Sequence, residues 1–439
     1  MGQGNDCFGG VPALRRGAPA WIGQGGTPAC ADKVELRWSR LAQGKGLCGN
    51  SPFPASRGAP TNGVRNRHVR GAIREGWRPA FPTGDFMTTR YPRFKAAACH
   101  TSSVFLDAQK SAEKACDLIA EAARGGAELV VFPESYLPGF PIWAALQAPI
   151  YNHDFFRALA AQAQKLTDGA IRTVRTAARR HGVFVSLGFT EGTEASIGCM
   201  WNSNILIGPD GAILNHHRKL VPTFYEKLVW ANGDARGLRV TPTSIGRLGM
   251  LICGENTNPL ARYSLMAEGE QVHISSYPPI WPTRPPSEDG AYDLRRAIEI
   301  RAGAHAFEAK VFNIVASGVV DAAMREALGS VNRASLEIID ASPRGVSMVL
   351  DPAAEVIGDV LSEHEGILYA DIDTQRCVEP KQFHDVVGYY NRFDIFHLDI
   401  DRGAQEPAHF RPDRAPAFAP DLALDLAEDR LDTVEERVG

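Results

Sequence analysis

From Phe94 to about residue 373 the sequence switches repeatedly between short apolar runs and longer segments with apolar residues at helical spacing. That alternation constrains the fold more than any other feature. "LDAQKSAEKACDLIAEAARGG" offers Asp107 as N-cap, sets Ala115, Leu118, Ile119 and Ala122 on one helix face and places Gly125 as the C′ stop. "AELVVFP" follows as a nearly all-apolar strand, the kind buried on both faces of a sheet. "IRTVRTAARRHGVFVSLGF" repeats the helix-then-strand order, and "SNILIGPDGAILNHH" reads as a hairpin turning on Gly208-Pro209-Asp210-Gly211. "SIGRLGMLIC" is a strand ending at Cys253. The next helix, "NPLARYSLMAEG", has Asn258 as N-cap, Pro259 in its first position and Gly269 as stop. "EQVHISSYP", the helix "YDLRRAIEIRAGAHAFEAK" and the strand "VFNIVASG" continue the series, and "SMVLDPAAEVIGDV" and "GILYADID" add strands near its end. The order predicts an α/β protein with mixed sheets and helices packed outside them.

The first 86 residues are different in kind. They have Gly-Gly and Pro-rich clusters, no sustained period, and twelve Lys/Arg against five Asp/Glu. That is a surplus of seven positive charges, which leaves −11 for residues 87–439 of a chain whose net charge is −4. The stretch reads as a disordered extension too poor in apolar surface to offset its ordering entropy, or as the product of a start placed upstream, with Met87 the natural start. The folded unit is expected over 87–399, and the acidic, Pro- and Ala-rich residues 400–439 read as a tail.

Bulk properties exclude several classes of function. The net charge of −4 lacks the basic footprint of a nucleic-acid binder. No apolar run is long enough to span a membrane, and no apolar h-region follows the basic residues near the N-terminus. Cysteines at 7, 30, 48, 99, 116, 199, 253 and 377 form no Cys-x-x-Cys pair and suit neither a zinc site nor a disulfide framework. The expected setting is reducing and cytoplasmic.

Three reactive side chains lie just past apolar strands or hairpins. Glu134 follows the strand ended by Pro133 in "LVVFPESYLPGFP", Lys219 follows the hairpin in "NHHRKLVPTFYEKLVW", and Cys253 ends its strand in "GMLICGEN". Strand ends along one edge of an α/β sheet are where sites form. Taken singly, a glutamate after a strand is usually solvated, Lys219 could belong to a basic turn, and a buried cysteine usually fills core. Together they are far more specific.

"PESYLPGFP", "HRKLVPTFYEKLVW" and "LICGENTNPLARY" closely resemble the nitrilase branch of the carbon–nitrogen hydrolase superfamily, over roughly residues 94–395. The resemblance implies a four-layer α-β-β-α sandwich and a catalytic set of Glu134, Lys219 and Cys253, with Glu226 as an additional active-site glutamate. It further implies a small-molecule nitrile as substrate and a homo-oligomer built from dimers, extended in some members to a spiral.

The chemistry agrees. A nitrile carbon is a poor electrophile and calls for a thiolate nucleophile. A free thiol with a pKa of ~8.5 needs a base at neutral pH. Glu134 would take the proton, helped by the N-terminus of the helix starting at Pro259. Lys219 and the Gly254 N–H would stabilise charge on the attacked nitrogen and then on the oxyanion. The path runs through a thioimidate and a thioester to the acid, and Glu226 orients the lysine or the water, or simply pairs with Lys219. No cofactor or metal is required, and His216-His217 beside a lysine makes a poor ligand set. Glu255, two residues past the nucleophile, is left outside the catalytic set.

"CGENTNPLAR", "EGEQVHISSYPP" and "DVVGYYNRFDIF" favour nitriles over the amides and carbamoyl groups hydrolysed elsewhere in the superfamily. A thiol amidase or carbamoylase is the alternative enzyme, and an idle nitrilase-like assembly module the alternative from another class. Two positions depart from the common pattern. Many nitrilases have tryptophan where this chain has Gly254, which should enlarge or reshape the pocket, and many have histidine where it has Tyr389, which bears on assembly. Tyr136, Phe140 and Trp143 are candidate pocket walls.

Overall fold

The computed structural model describes residues 91–330 and 333–403. The extension expected over 1–86 and the tail from residue 404 onward lie outside the described residues.

Two sheets carry the fold. The first has the order β11 (Gly366–Asp373), β1 (Arg93–His100), β2 (Leu129–Val131), β3 (Phe184–Gly192), β4 (Met200–Ile207), β5 (Ile213–Arg218). β1, β2 and β3 run parallel, and β11, β4 and β5 join antiparallel. The second sheet has the order β10 (Met348–Leu350), β9 (Phe312–Ser317), β8 (Val272–Tyr277), β7 (Gly246–Ile252), β6 (Thr241–Thr243), with β7, β8 and β9 parallel. The parallel steps are bridged by helices, as the alternation in the sequence predicts.

The period-two alternation of each strand sends side chains to two different cores. Ala97, Cys99, Val130 and Val185 pack on Ala112 and Ile119 of helix α1 (Ala108–Arg124), with two short segments, α2 (Trp143–Leu146) and α3 (His153–Gln162), preceding α4 (Gly169–His181), whose Ile171 and Val174 join the same cluster. Their neighbours Ala96, Ala98, Leu129 and Val131 point the other way and meet Leu248, Met250, Ile274 and Ile314 of the second sheet. Beyond that sheet, Leu251 packs on Ala261 and Leu265 of α5 (Pro259–Ala267). Tyr277 and Val315 pack on Ile298, Ala302 and Ala306 of α6 (Leu294–Ala309). The layers are therefore helix, sheet, sheet, helix, which is the expected sandwich.

Local signals place most boundaries. Asp107 accepts from the Lys110 N–H at 2.9 Å, and the Asn258 side chain caps α5 with Pro259 in its first turn. Gly269 takes φ +74 beyond α5, where a left-handed residue ends the helix. At the end of α1 the left-handed residue is Gly126 (φ +85), one position later than expected, because Gly125 keeps a right-handed φ of −72. The expected strand "SMVLDPAAEVIGDV" contributes only Met348–Leu350 to the sheet before Pro352 and the turn that follows.

Candidate active site

The C-terminal ends of β2, β5 and β7 bring the three sequence-predicted groups together. Glu134 leaves β2 through Pro133, and its own N–H reaches the carbonyl of Tyr277 at the end of β8, 3.4 Å away, so the loop crosses from one sheet to the other. Lys219 follows β5 and donates its backbone N–H to Asn202 of β4 at 2.8 Å. Cys253 opens a 3₁₀ turn, Cys253–Thr257, directly after β7. Glu226 lies in a second 3₁₀ turn, Phe224–Leu228, where its Oε2 accepts the N–H of Thr223 at 3.0 Å.

The backbone is strained at these points. Six described non-glycine residues have positive φ, and three of them flank or form the site: Ser135 (φ +48), Phe224 (φ +51) and Cys253 (φ +49). A left-handed backbone costs a residue with a Cβ roughly 1–2 kcal/mol, and such outliers gather where geometry matters more than local stability.

The charged groups are closed to solvent. Lys219 Nζ lies 2.7 Å from Glu134 Oε1 and 2.6 Å from Glu226 Oε2, with all three side chains at 0% exposure. Asn202 Nδ2 donates to the same Glu134 oxygen at 2.7 Å, which leaves Glu134 Oε2 buried with no partner. Cys253 Sγ and one oxygen from each of Glu134 and Glu226 lie within 4.8 Å of one another. Two carboxylates thus share one ammonium. Burial, and after it the Glu226 charge, outweighs Lys219 and pushes the Glu134 carboxyl up to about 7. Burial would lower Lys219, but Glu134 and Glu226 hold its ammonium above the usual range. Burial and the Glu134 charge raise the Cys253 thiol, so the resting sulfur is protonated.

A wall of aromatic rings runs outward from Glu226. Trp281 Nε1 donates to Glu226 Oε1 at 3.3 Å and stacks on Tyr225 with 5.4 Å between centroids. Phe224 and Tyr292 meet the Trp281 ring edge-on at 6.1 and 5.0 Å. Arg301 of α6 donates to Tyr292 Oη and to Thr257 Oγ1, both at 2.6 Å, and its charge favours the Cys253 thiolate. Sequence reasoning missed Tyr225, Trp281, Tyr292 and Arg301. The only signal was the aromatic content of "PTFYEK" and "YPPIWP".

Tyr136 does not stand beside Cys253. It is 1% exposed and packs on Phe132, 5.0 Å between centroids, in the core between the first sheet and α1 and α4. It lies on the side of the first sheet that faces α1 and α4, which corrects its placement as a pocket wall. Trp143 stacks on Phe155 and, with Phe140, belongs to the cluster that holds Tyr225. Both therefore back the Glu226 turn from behind. Gly254 does not open the pocket either. A Cβ there would lie 2.5 Å from Thr223 Oγ1, so the Thr223 hydroxyl fills the space that a side chain would take. The helix start expected to favour the thiolate is the 3₁₀ turn at Cys253 itself, since α5 begins six residues on.

The neighbouring acidic and histidine residues are occupied. Glu255 Oε1 accepts the Leu220 N–H at 2.6 Å, and its Oε2 accepts the Ile252 N–H at 2.8 Å and His217 Nε2 at 2.9 Å. Burial would raise its carboxyl, but His217 and the two amides bring it below the usual range. His216 bonds Glu191 from the opposite face of β5, at 2.8 Å, and Arg218 pairs with the same carboxylate. One ring nitrogen of each histidine is therefore bonded to a carboxylate. The cluster of Glu134, Glu226 and Cys253 has the spacing of a ligand set, but Lys219 Nζ already sits between its two carboxylates.

A buried thiol, a carboxylate with one free oxygen and a lysine clamped by two carboxylates, set at the ends of a sheet-on-sheet sandwich, form an arrangement suited to hydrolysis through a cysteine. Residues 95–382 match the family model for carbon-nitrogen hydrolases. The chain is 31% identical over 323 residues to a nitrilase from Penicillium rubens, covering 72% of this chain and 96% of that protein. It is 30% identical over 332 residues to an arylacetonitrilase from Hypocrea virens, covering 73% and 95%. Among solved structures, a carbon-nitrogen hydrolase from Helicobacter pylori superposes with a TM-score of 0.53 at 21% identity, over 69% of this chain and 97% of that one. The chain belongs to the carbon–nitrogen hydrolase family, in its nitrilase branch.

Proposed function

We propose that the protein hydrolyses an organic nitrile to the carboxylic acid and ammonia, with Cys253 as nucleophile, Glu134 as general base, Lys219 as the stabilising cation and Glu226 as the residue that positions it. The observation that carries this reading is the unpartnered Oε2 of Glu134 in a site where its other oxygen is held by Lys219 and Asn202. The two carboxylates and the ammonium sum to one negative charge. A thiolate formed by losing its proton to water would make that two in a buried site, whereas transfer to Glu134 keeps it at one.

Glu134 Oε2 takes the proton from Sγ as sulfur attacks the nitrile carbon, and the proton passes to nitrogen to give a neutral thioimidate. Glu134 then deprotonates a water that adds to the same carbon. Glu134 passes that proton to nitrogen, the hydroxyl of the tetrahedral intermediate gives up its own proton through Glu134 to the same nitrogen, and the C–N bond breaks to release ammonia and leave a thioester. A second water, activated in the same way, releases the acid and the thiol. Lys219 Nζ and the Gly254 N–H at the start of the 3₁₀ turn balance charge on nitrogen and on the tetrahedral oxygen. If the thiolate leaves before ammonia does, the product is the amide instead.

Ammonia release from a panel of nitriles and their amides, with intact mass spectrometry of quenched enzyme, tests the reading. Turnover of nitriles with an adduct on the Cys253 peptide supports it. Turnover of amides alone moves the protein to the amidase branch, and silence on both favours the idle assembly module.

The active unit is proposed to be residues 87–399, with 1–86 dispensable. A homo-oligomer is supported by exposed apolar residues near the end of the described chain, Tyr389 and Phe396 at 83% and 72% exposure, with Phe307 of α6 also uncovered. Among the described residues no helix is long and apolar enough to cross a membrane. The described cysteines are free thiols, which fits a reducing, cytoplasmic setting.

A further inference from the structure

Behind the nucleophile's turn lies a closed cluster that the mechanism does not use. Glu270 Oε1 meets His273 Nδ1 at 2.7 Å and Glu270 Oε2 meets His305 Nε2 at 2.6 Å. The two imidazoles stack with 3.7 Å between centroids. His273 Nε2 lies 2.9 Å from Asn256 Oδ1, which also accepts from Ser275 Oγ at 3.2 Å. Asn256 Nδ2 donates to the carbonyl of Leu251 at 3.3 Å and to that of Cys253 at 3.2 Å. Glu270, His273, His305 and Asn256 are all buried.

Donor and acceptor counting fixes the protons. Two carbonyls face one end of the Asn256 amide, so that end is the NH2 and Oδ1 faces His273. His273 Nε2 must therefore donate. Its Nδ1 shares the proton of a 2.7 Å bond with the Glu270 carboxylate. His305 donates through Nε2, and its buried Nδ1 has no partner, so that ring is neutral. Burial would raise the Glu270 carboxyl, but the two rings beside it hold it at about 2. Burial, then the neighbouring His273, lowers His305 to about 4, which agrees with a neutral ring. The three residues have ligand-like spacing. Even so, one nitrogen of each ring is already bonded to a Glu270 oxygen, and the rings lie face to face rather than converging on a point. A metal does not fit.

We propose that His273 is a positioning residue for Cys253: held by Glu270, its Nε2–H locks the Asn256 amide, which in turn grips the Cys253 carbonyl and supports the left-handed backbone from which the thiol projects. The inference rests on Cys253 being the nucleophile. A buried hydrogen bond to Oδ1 fixes which way the amide faces, and the Cys253 φ of +49 needs an outside restraint.

The test uses the full chain with His273→Leu, which lacks a donor, and His273→Gln, whose amide can still donate to Asn256. One readout is the rate at which iodoacetamide alkylates the Cys253 peptide, which needs no nitrile turnover. The other is kcat and KM for a nitrile. His273→Leu is expected to lower both the alkylation rate and kcat about tenfold, the scale of one lost buried hydrogen bond, with KM nearly unchanged. His273→Gln should restore most of each. Wild-type alkylation and kcat in His273→Leu, with only a lower melting temperature, overturn the proposal. If His273→Leu does not fold, the imidazole nitrogen shifts of labelled wild-type protein decide, and a His273 Nε2 without a proton overturns it. If no nitrile is turned over while the alkylation rates follow the expected order, the positioning role stands and the substrate reading falls.

Discussion

The Glu255 carboxylate accepts the backbone N–H of Leu220 at 2.6 Å, and so ties the residue after Lys219 to the turn that carries Cys253. Its other oxygen holds Ile252, the residue before the nucleophile, together with His217. One side chain therefore sets the spacing between the two strand ends that supply the cation and the thiol. Glu255→Ala strands three buried donors, each worth on the order of 1–3 kcal/mol. It should lower the urea midpoint with an unchanged m-value and reduce kcat in the same protein. Glu255→Gln should fall between. A wild-type midpoint in Glu255→Ala would show that the two strands hold their spacing without it.

Removing each member of the proposed catalytic set should have different consequences for the fold. Cys253→Ala and Glu134→Gln are expected to abolish ammonia release, a fall of at least about 10³-fold, with melting temperatures near or above wild type. Lys219→Ala should be inactive and unstable, because it leaves the Glu134 and Glu226 carboxylates buried without their cation. Breaking a buried pair in this way costs about 3–5 kcal/mol. Urea denaturation of the three variants beside the activity assay separates these outcomes.

The strand ends that carry the candidate site were legible because each reactive residue follows an apolar run whose end Pro133, the hairpin or the Cys253 junction marks in the sequence itself. The alternation of helix and strand likewise located α1, α4, α5 and α6 and the central parallel strands. Tyr136 was misplaced because the direction of a side chain in the loop after β2 depends on Ser135, whose left-handed φ no sequence signal announces. Glu255 and His273 were illegible for a related reason. Their partners are backbone groups and an amide brought from other strands, and such pairings have no spacing to read. Gly254 suggested an open pocket only because the sequence cannot show that Thr223, thirty-one residues earlier, fills it.

The raised Glu134 carboxyl predicts two pH effects of defined sign. As a base it must be ionised, so kcat/KM should rise with pH along a limb centred near 7. For stability, the folded chain holds this proton more tightly than the unfolded chain, whose glutamate ionises near 4.5. Folding is therefore relatively favoured below about pH 5, and that advantage is lost as pH rises through 7. Glu134→Gln removes the titration. Its melting temperature relative to wild type should be higher at pH 8 than at pH 5, and a difference independent of pH would remove Glu134 as the group responsible.

Gly254 is expected to tolerate no side chain while Thr223 keeps its rotamer. A Cβ at 254 comes within 2.5 Å of Thr223 Oγ1, on the residue that precedes the turn bearing Glu226. Gly254→Ala must turn that hydroxyl away and shift the Thr223 end of the turn, and with it Glu226 against Lys219. The expected result is a kcat reduced about tenfold. The cause can be isolated by a double-mutant cycle. Thr223→Ala removes the obstructing oxygen, so adding Gly254→Ala in that background should cost much less than it does alone. The two changes should couple by on the order of 1 kcal/mol. Strict additivity would mean that the alanine acts elsewhere, and Thr223 would then not be what fills the place beside the nucleophile.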